Sequence, residues 1–174
     1  MLEEELFNIA CKGVIDAVDD NYEPPKKSGI KKGVFVTIKK KGMLRGCIGN
    51  IYPLEDLYIA TYNNAIHAAI HDPRFPPLTK NELKDIDIEI SVLSIPKEAK
   101  IDEIIPKKHG VIIYGMGRSA TFLPQVWEEL RTKEEFLSHL CLKAGLPINY
   151  WKEKARFEIY ENEMVIGPKR LVLR

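Results

Sequence analysis

The chain has 174 residues, 45% of them hydrophobic and 29% charged, with a net charge of +1, the composition of an ordinary globular protein large enough for one domain with its own core. No run approaches the roughly 18 apolar residues of a membrane span, and the acidic start Met1-Leu2-Glu3-Glu4-Glu5 lacks the pattern of a secretory leader, so the expected compartment is the cytoplasm. Cys11, Cys47 and Cys141 are odd in number, widely spaced and without a Cys-x-x-Cys pair, which points to free thiols and away from a disulfide framework or a zinc knuckle.

Residues 2 to 20 read as an amphipathic helix, with Leu6, Ile9, Ala10, Val14, Ala17 and Val18 at helical spacing. The stretch from Asn21 to Gly33, with Pro24-Pro25 and Ser28-Gly29, reads as a loop. Val34 to Lys39 is rich in β-branched residues and predicts a strand, Lys40-Lys41-Gly42 a turn, and Met43 to Ile48 the returning partner of a hairpin. A helix is expected to open at Pro53 and end by Asp72, ahead of Pro73. Thr79 with Glu82 forms a capping box for a short helical turn, and Asp85 to Ser94 alternates as a strand, with Ile86, Ile88, Ile90 and Val92 opposite Asp87, Glu89 and Ser91. Pro96 and Pro106 bracket a looser connection, followed by a short strand from Val111 to Tyr114, a glycine-rich turn and Thr121-Phe122-Leu123. Thr132 and Glu135 cap a helix from Lys133 to Ala144, stopped by Gly145, and Ala155 to Ile166 holds one or two late strands. Hairpins interrupted by helices argue for an α/β chain of the α+β kind, with a mixed or antiparallel sheet flanked by helices.

Charge is unevenly spread. Between Pro24 and Leu54 lie Lys26, Lys27, Lys31, Lys32, Lys39, Lys40, Lys41 and Arg45 with no acid, so +8 there against +1 overall leaves −7 elsewhere. Such a segment is either a surface for an anionic partner or a solvated pair of loops.

In a regular strand from Met43 to Ile48, Met43, Arg45 and Cys47 share one face and Leu44, Gly46 and Ile48 the other. Arg45 and Cys47 would then stand roughly 6.6 Å apart along the strand, where a permanent cation favours thiolate, and Gly46 and Gly49 would leave room for a substrate or another backbone. The opposing reading makes Cys47 a small buried hydrophobe. No base is identified, although His67 or His71 could be brought near by folding. Asp72-Pro73-Arg74-Phe75-Pro76-Pro77 holds an arginine on a stiff backbone beside an aromatic ring, suited to a carboxylate or phosphate, or else forms a stiff crossover. His67 and His71, one helical turn apart, lack a third ligand, so no metal site is expected, and no cofactor. Aromatic residues are too sparse among the lysines for an RNA-stacking platform.

Gly33-Val34-Phe35-Val36-Thr37 followed by Leu44-Arg45-Gly46-Cys47-Ile48-Gly49 resembles the signature of the AMMECR-one domain family. The likeness continues through Asp72 to Pro77, Glu89-Ile90-Ser91-Val92-Leu93-Ser94, Leu123-Pro124-Gln125-Val126 and Lys143-Ala144-Gly145-Leu146. Ser119-Ala120-Thr121-Phe122 stands where that family usually has glycine and leucines. The resemblance implies one α/β domain over residues 1–174, with a larger and a smaller part and the signature segment lining a cleft between them. It also implies a shared pathway with Memo-like and radical-SAM proteins. By position it carries over Arg45, Cys47, Asp72, Arg74, Glu89 and Gln125 as site candidates. The function expected from residues and resemblance together is binding or modification of a small or peptide-like ligand at the Leu44–Gly49 segment, with Cys47 as the candidate catalytic residue and Arg45, Gly46, Asp72, Arg74, Glu89 and Gln125 as ligand contacts. The alternatives are a non-catalytic module for a protein partner and, third, an RNA-binding domain.

Overall fold

Helix α1 (Leu2–Asp19) forms because Leu6, Phe7, Ala10, Cys11, Val14 and Ala17 return on one face, and Glu3, Glu4 and Glu5 complement its positive end. It stops at Asp20, which adopts the left-handed conformation and closes its N–H on the Asp16 carbonyl. The computed structural model describes residues 1–173.

Strands β1 (Gly33–Lys40) and β2 (Met43–Asn50) form the expected antiparallel hairpin around Lys41 and Gly42, both at positive φ, as a two-residue turn requires. The register shifts once. Lys40 faces Met43 and Lys39 faces Leu44, but Ile38 faces Gly46 and Thr37 faces Cys47, so Arg45 is the extra residue of a β-bulge.

Helix α2 (Leu57–Ile70) starts four residues later than expected. Pro53 does not open it; Asp56 does, accepting the Tyr58 N–H and also the N–H groups of Ser28 and Gly29. A 3-10 turn over Lys80–Asp85 follows, and β3 (Ile86–Leu93) pairs antiparallel with β1. After it come β4 (Lys97–Ala99), β5 (Gly110–Gly115), β6 (Arg118–Phe122), helix α3 (Lys133–Lys143), β7 (Arg156–Tyr160) and β8 (Asn162–Arg170). One sheet runs β2-β1-β3-β8 and the other β4-β7-β5-β6. The pairings β4–β7, β5–β6 and β5–β7 are antiparallel as well, so the chain is an α+β fold built on antiparallel pairs. Strand β4 was not expected; it lies in the connection read as loose.

The chain divides into two units, residues 1–95 with the C-terminal segment from Glu163, and Pro96–Asn162. In the first, Val34, Val36 and Ile38 of β1 and Ile86, Ile88 and Ile90 of β3 are fully buried in one cluster with the apolar faces of α1 and α2. In the second, α3 covers its sheet, Trp127 stacks on Phe136 at 3.7 Å, and Phe122, in the segment that departs from the family pattern, meets Phe136 edge-on at 5.3 Å. No helix among the described residues is long and apolar enough to cross a membrane.

Candidate functional site

The site grows out of the two faces of the first sheet. Helix α2 lies on the face of Val36 and Ile38, and it lies close: a Cβ on Gly46 would stand 2.0 Å from the Ala68 carbonyl oxygen. The space that Gly46 leaves is thus filled by a helix backbone, and Gly46 is structural where a ligand contact was expected. Residues of the opposite face form a polar row across three strands, with Cys47 facing Thr37 and Thr37 facing Glu89. Thr37 Oγ1 and Cys47 Sγ are 3.1 Å apart, and Lys39 Nζ donates to Glu89 Oε2 at 3.3 Å. Thr37 and Glu89 are buried, whereas Cys47 is half-buried.

Arg45 is not part of that row. The bulge turns it to Glu82, to which Nε and Nη2 donate at 3.0 and 3.1 Å; its side chain is 11% exposed. Glu82 also takes the Lys40 ammonium at 2.9 Å and the Thr79 N–H at 2.9 Å. Arg45 beside it holds the Glu82 carboxyl down to about 2, against the opposing effect of burial. The expectation that Arg45 shares a face with Cys47 is therefore overturned, because the extra residue breaks the alternation between them.

The cation near Cys47 is Arg74. It is reached through Asp72, whose side chain is only 2% exposed. Asp72 Oδ2 accepts the Cys47 backbone N–H at 3.0 Å and Arg74 Nη2 at 2.8 Å, while Oδ1 accepts Arg74 Nε at 3.0 Å and the Arg74 N–H at 3.1 Å. Arg74 Nη2 also reaches the Cys47 carbonyl at 3.4 Å, and the guanidinium lies 5.5 Å from the Phe75 ring centre. The bidentate Arg74 is the largest influence holding the Asp72 carboxyl down to about 2, with burial opposing and the two backbone N–H groups assisting. Strand β2 ends its sheet, so its outer N–H and C=O groups lack a neighbouring strand, and at Cys47 two side chains supply the missing acceptor and donor.

Of the candidates, Cys47, Asp72 and Arg74 are brought together, and Glu89 joins Cys47 through Thr37. Gln125 belongs to the second unit, where its Oε1 accepts from Asn162 Nδ2 at 3.0 Å. His67 and His71 sit with their rings 5.6 Å apart, His67 on α2, which packs on the face away from Cys47. No group of three or more His, Cys, Asp or Glu among the described residues could hold a metal ion. Sequence reasoning missed Thr37, although its place two residues after Phe35 on the face opposite Val36 was readable from the alternation of β1.

The chain is similar to several archaeal proteins. Protein MK0488 of Methanopyrus kandleri is 40% identical over 193 residues, covering 96% of this chain and 91% of its own. A protein of Thermococcus onnurineus is 42% identical over 193 residues, covering 95% and 92%. The crystal structure of the uncharacterized protein PH0010 from Pyrococcus horikoshii superposes with a TM-score of 0.83 at 33% identity, over 90% of this chain and 86% of that one. The AMMECR1 family profile matches residues 7–165, which takes in the bulged hairpin, the Asp72–Arg74 pair and both units, and the chain belongs to that family.

Proposed function

We propose that this protein is a ligand-binding domain that takes a small or peptide-like ligand at the outer edge of β2 beside Cys47, with Arg74 receiving an anionic part of it. The observation that carries this reading is the buried Asp72 carboxylate, which holds the Cys47 N–H and the Arg74 guanidinium together. A guanidinium fixed on two oxygens loses little further freedom when it meets a ligand, yet this side chain remains 53% exposed. Binding is favoured over modification, because Thr37, the hydroxyl at the Cys47 thiol, is no base at neutral pH, and the nearby Glu89 carboxylate is engaged by Lys39.

The lysine-rich segment supports a polyanion less well than its charge suggested. Lys32 is paired with Glu163, Lys39 with Glu89, and Lys40 and Arg45 with Glu82. Titration with acetate, followed through the backbone amides of Cys47 and Arg74 by NMR, tests the reading. A saturable shift is expected in the parent protein and none in a folded Arg74→Ala variant; equal shifts in both would remove Arg74 from the site.

A further inference from the structure

The Cys47 N–H and C=O both point away from β1, since Asp72 and Arg74 bind them from outside. The strand is regular from Gly46 to Asn50, so two-residue alternation points the N–H and C=O of Gly49 outward as well. Among the described residues nothing bonds to either of these Gly49 groups. Just beyond, Tyr52 and Leu54 are exposed, at 40% and 81%.

We propose that this edge takes the C-terminus of a peptide by strand addition, an inference that rests on the reading of the β2 edge and Arg74 as the ligand site. The peptide lies antiparallel to β2. Its penultimate residue exchanges both hydrogen bonds with Gly49, giving its C=O to the Gly49 N–H and its N–H to the Gly49 C=O. The residues before it run out over Tyr52 and Leu54.

The ladder cannot continue past the next residue. A further residue would bring its own N–H to the Cys47 carbonyl, a place already held by Arg74 Nη2 at 3.4 Å, and the Cys47 N–H is closed by Asp72. What fits at that point is the end of a chain. A terminal carboxylate there meets the guanidinium in line with the strand, where Arg74 Nη1 makes no bond to any described residue. An acidic side chain within a longer peptide would project from a strand face, out of that line.

The test uses the whole protein and three pools of N-acetylated pentapeptides of mixed sequence. One pool has free C-termini, one is C-terminally amidated, and one has free C-termini with the penultimate nitrogen methylated. Binding is read at the Gly49 amide by NMR. Substituting Gly49 itself is avoided, since a Cβ there would meet the Phe35 ring at 2.3 Å. The free-acid pool is expected to shift the Gly49 amide at millimolar concentration, with amidation and N-methylation each weakening it about tenfold. Arg74→Lys should keep part of the response and Arg74→Ala should lose it. No Gly49 shift, or one indifferent to N-methylation, overturns strand addition. An Arg74-dependent acetate response in that same case leaves the anion site standing, and loss of both responses removes the two readings together.

Discussion

Arg45 and Glu82, 37 positions apart, form a two-point ion pair at 3.0 and 3.1 Å that ties the bulge of β2 to the 3-10 turn before β3. Among the described residues the third nitrogen of Arg45, Nη1, is buried with no partner, so the arginine is committed to structure. Arg45→Ala leaves Glu82 buried with Lys40 and the Thr79 groups, and is expected to cost about 3 kcal/mol. Urea unfolding of the two proteins measures it; an unchanged midpoint would mean that Lys40 alone suffices for Glu82.

The thiols should separate by accessibility. Cys11 and Cys141 are buried, and burial pushes the Cys141 thiol up, whereas Cys47 is half-buried at a strand edge. Timed iodoacetamide labelling with mass-spectrometric readout is expected to modify Cys47 first. Because Arg45 faces Glu82, Arg45→Ala should leave the Cys47 rate within about twofold under conditions where the variant is folded. A larger drop would restore Arg45 as an activator of the thiol.

Asp72 and Glu82 should dominate the acid limb of stability. Both carboxyls are held at about 2 when folded and titrate in the ordinary carboxylate range when unfolded. Between those values the unfolded chain binds more protons, so this stabilisation is complete above the ordinary range and is lost as pH falls toward about 2. Asp72 contributes about 2 kcal/mol and Glu82 about 3 kcal/mol. Asp72→Asn and Glu82→Gln should each flatten the curve of unfolding midpoint against pH below about 4, and an acid limb equally steep in both variants would assign it elsewhere.

Arg74→Ala should be milder than Arg45→Ala. Its partner Asp72 keeps two backbone N–H donors, from Cys47 and from residue 74 itself, and the lost side chain is half exposed. A cost of about 2 kcal/mol is expected, against about 3 kcal/mol for Arg45→Ala, read as a drop in melting temperature. A loss as large as that of Arg45→Ala would make Arg74 a structural residue first.

The second unit carries a separate acid sensitivity. His109 is buried, and its Nδ1 accepts the Ile105 N–H at 3.0 Å, a bond that only the unprotonated ring can accept. Burial is the largest influence lowering its pKa from 6.5, with Glu161 pulling the other way and Lys108 and Lys97 assisting. The unfolded chain therefore protonates first as pH falls, and this contribution is complete above 6.5 and lost below it. Hydrogen exchange at the Ile105 amide should accelerate, relative to amides of β1, once pH falls below 6.5, after correction for intrinsic rates.

Much of this could be read from the residues. The hairpin turn and the Thr79–Glu82 and Thr132–Glu135 caps are local chemistry, decided within a few positions, and each stands where it was expected. The start of α2 escaped because its cap, Asp56, is chosen partly by Ser28 and Gly29, far back in the chain. The Asp72–Arg74 segment reads from sequence as either a rigid anion binder or a stiff crossover, and nothing near it in sequence says that both side chains close on the Cys47 backbone. The bulge was invisible for the same reason: its register is set by Glu82 and by the Ala68 carbonyl, neither of which a strand pattern contains.

That single extra residue acts as a parity switch. With the turn at Lys41 and Gly42 and no bulge, Cys47 would face Val36 and lie beneath α2; with it, Cys47 faces Thr37 on the far side. Deleting Arg45 is thus a different experiment from straightening the bulge. With Arg45 gone, Gly46 would follow Leu44 directly and still face Ile38, so Cys47 would keep facing Thr37 while the tie to Glu82 is lost. A straight strand that retained Arg45 would instead put every later side chain of β2 on the other side and drive the thiol against the helix that only Gly46 now admits. A one-residue insertion into β2 between the bulge and Cys47 should be tolerated only with a second bulge that restores the count, whereas a hairpin lacking the residue at position 45 should keep the same faces with no bulge at all.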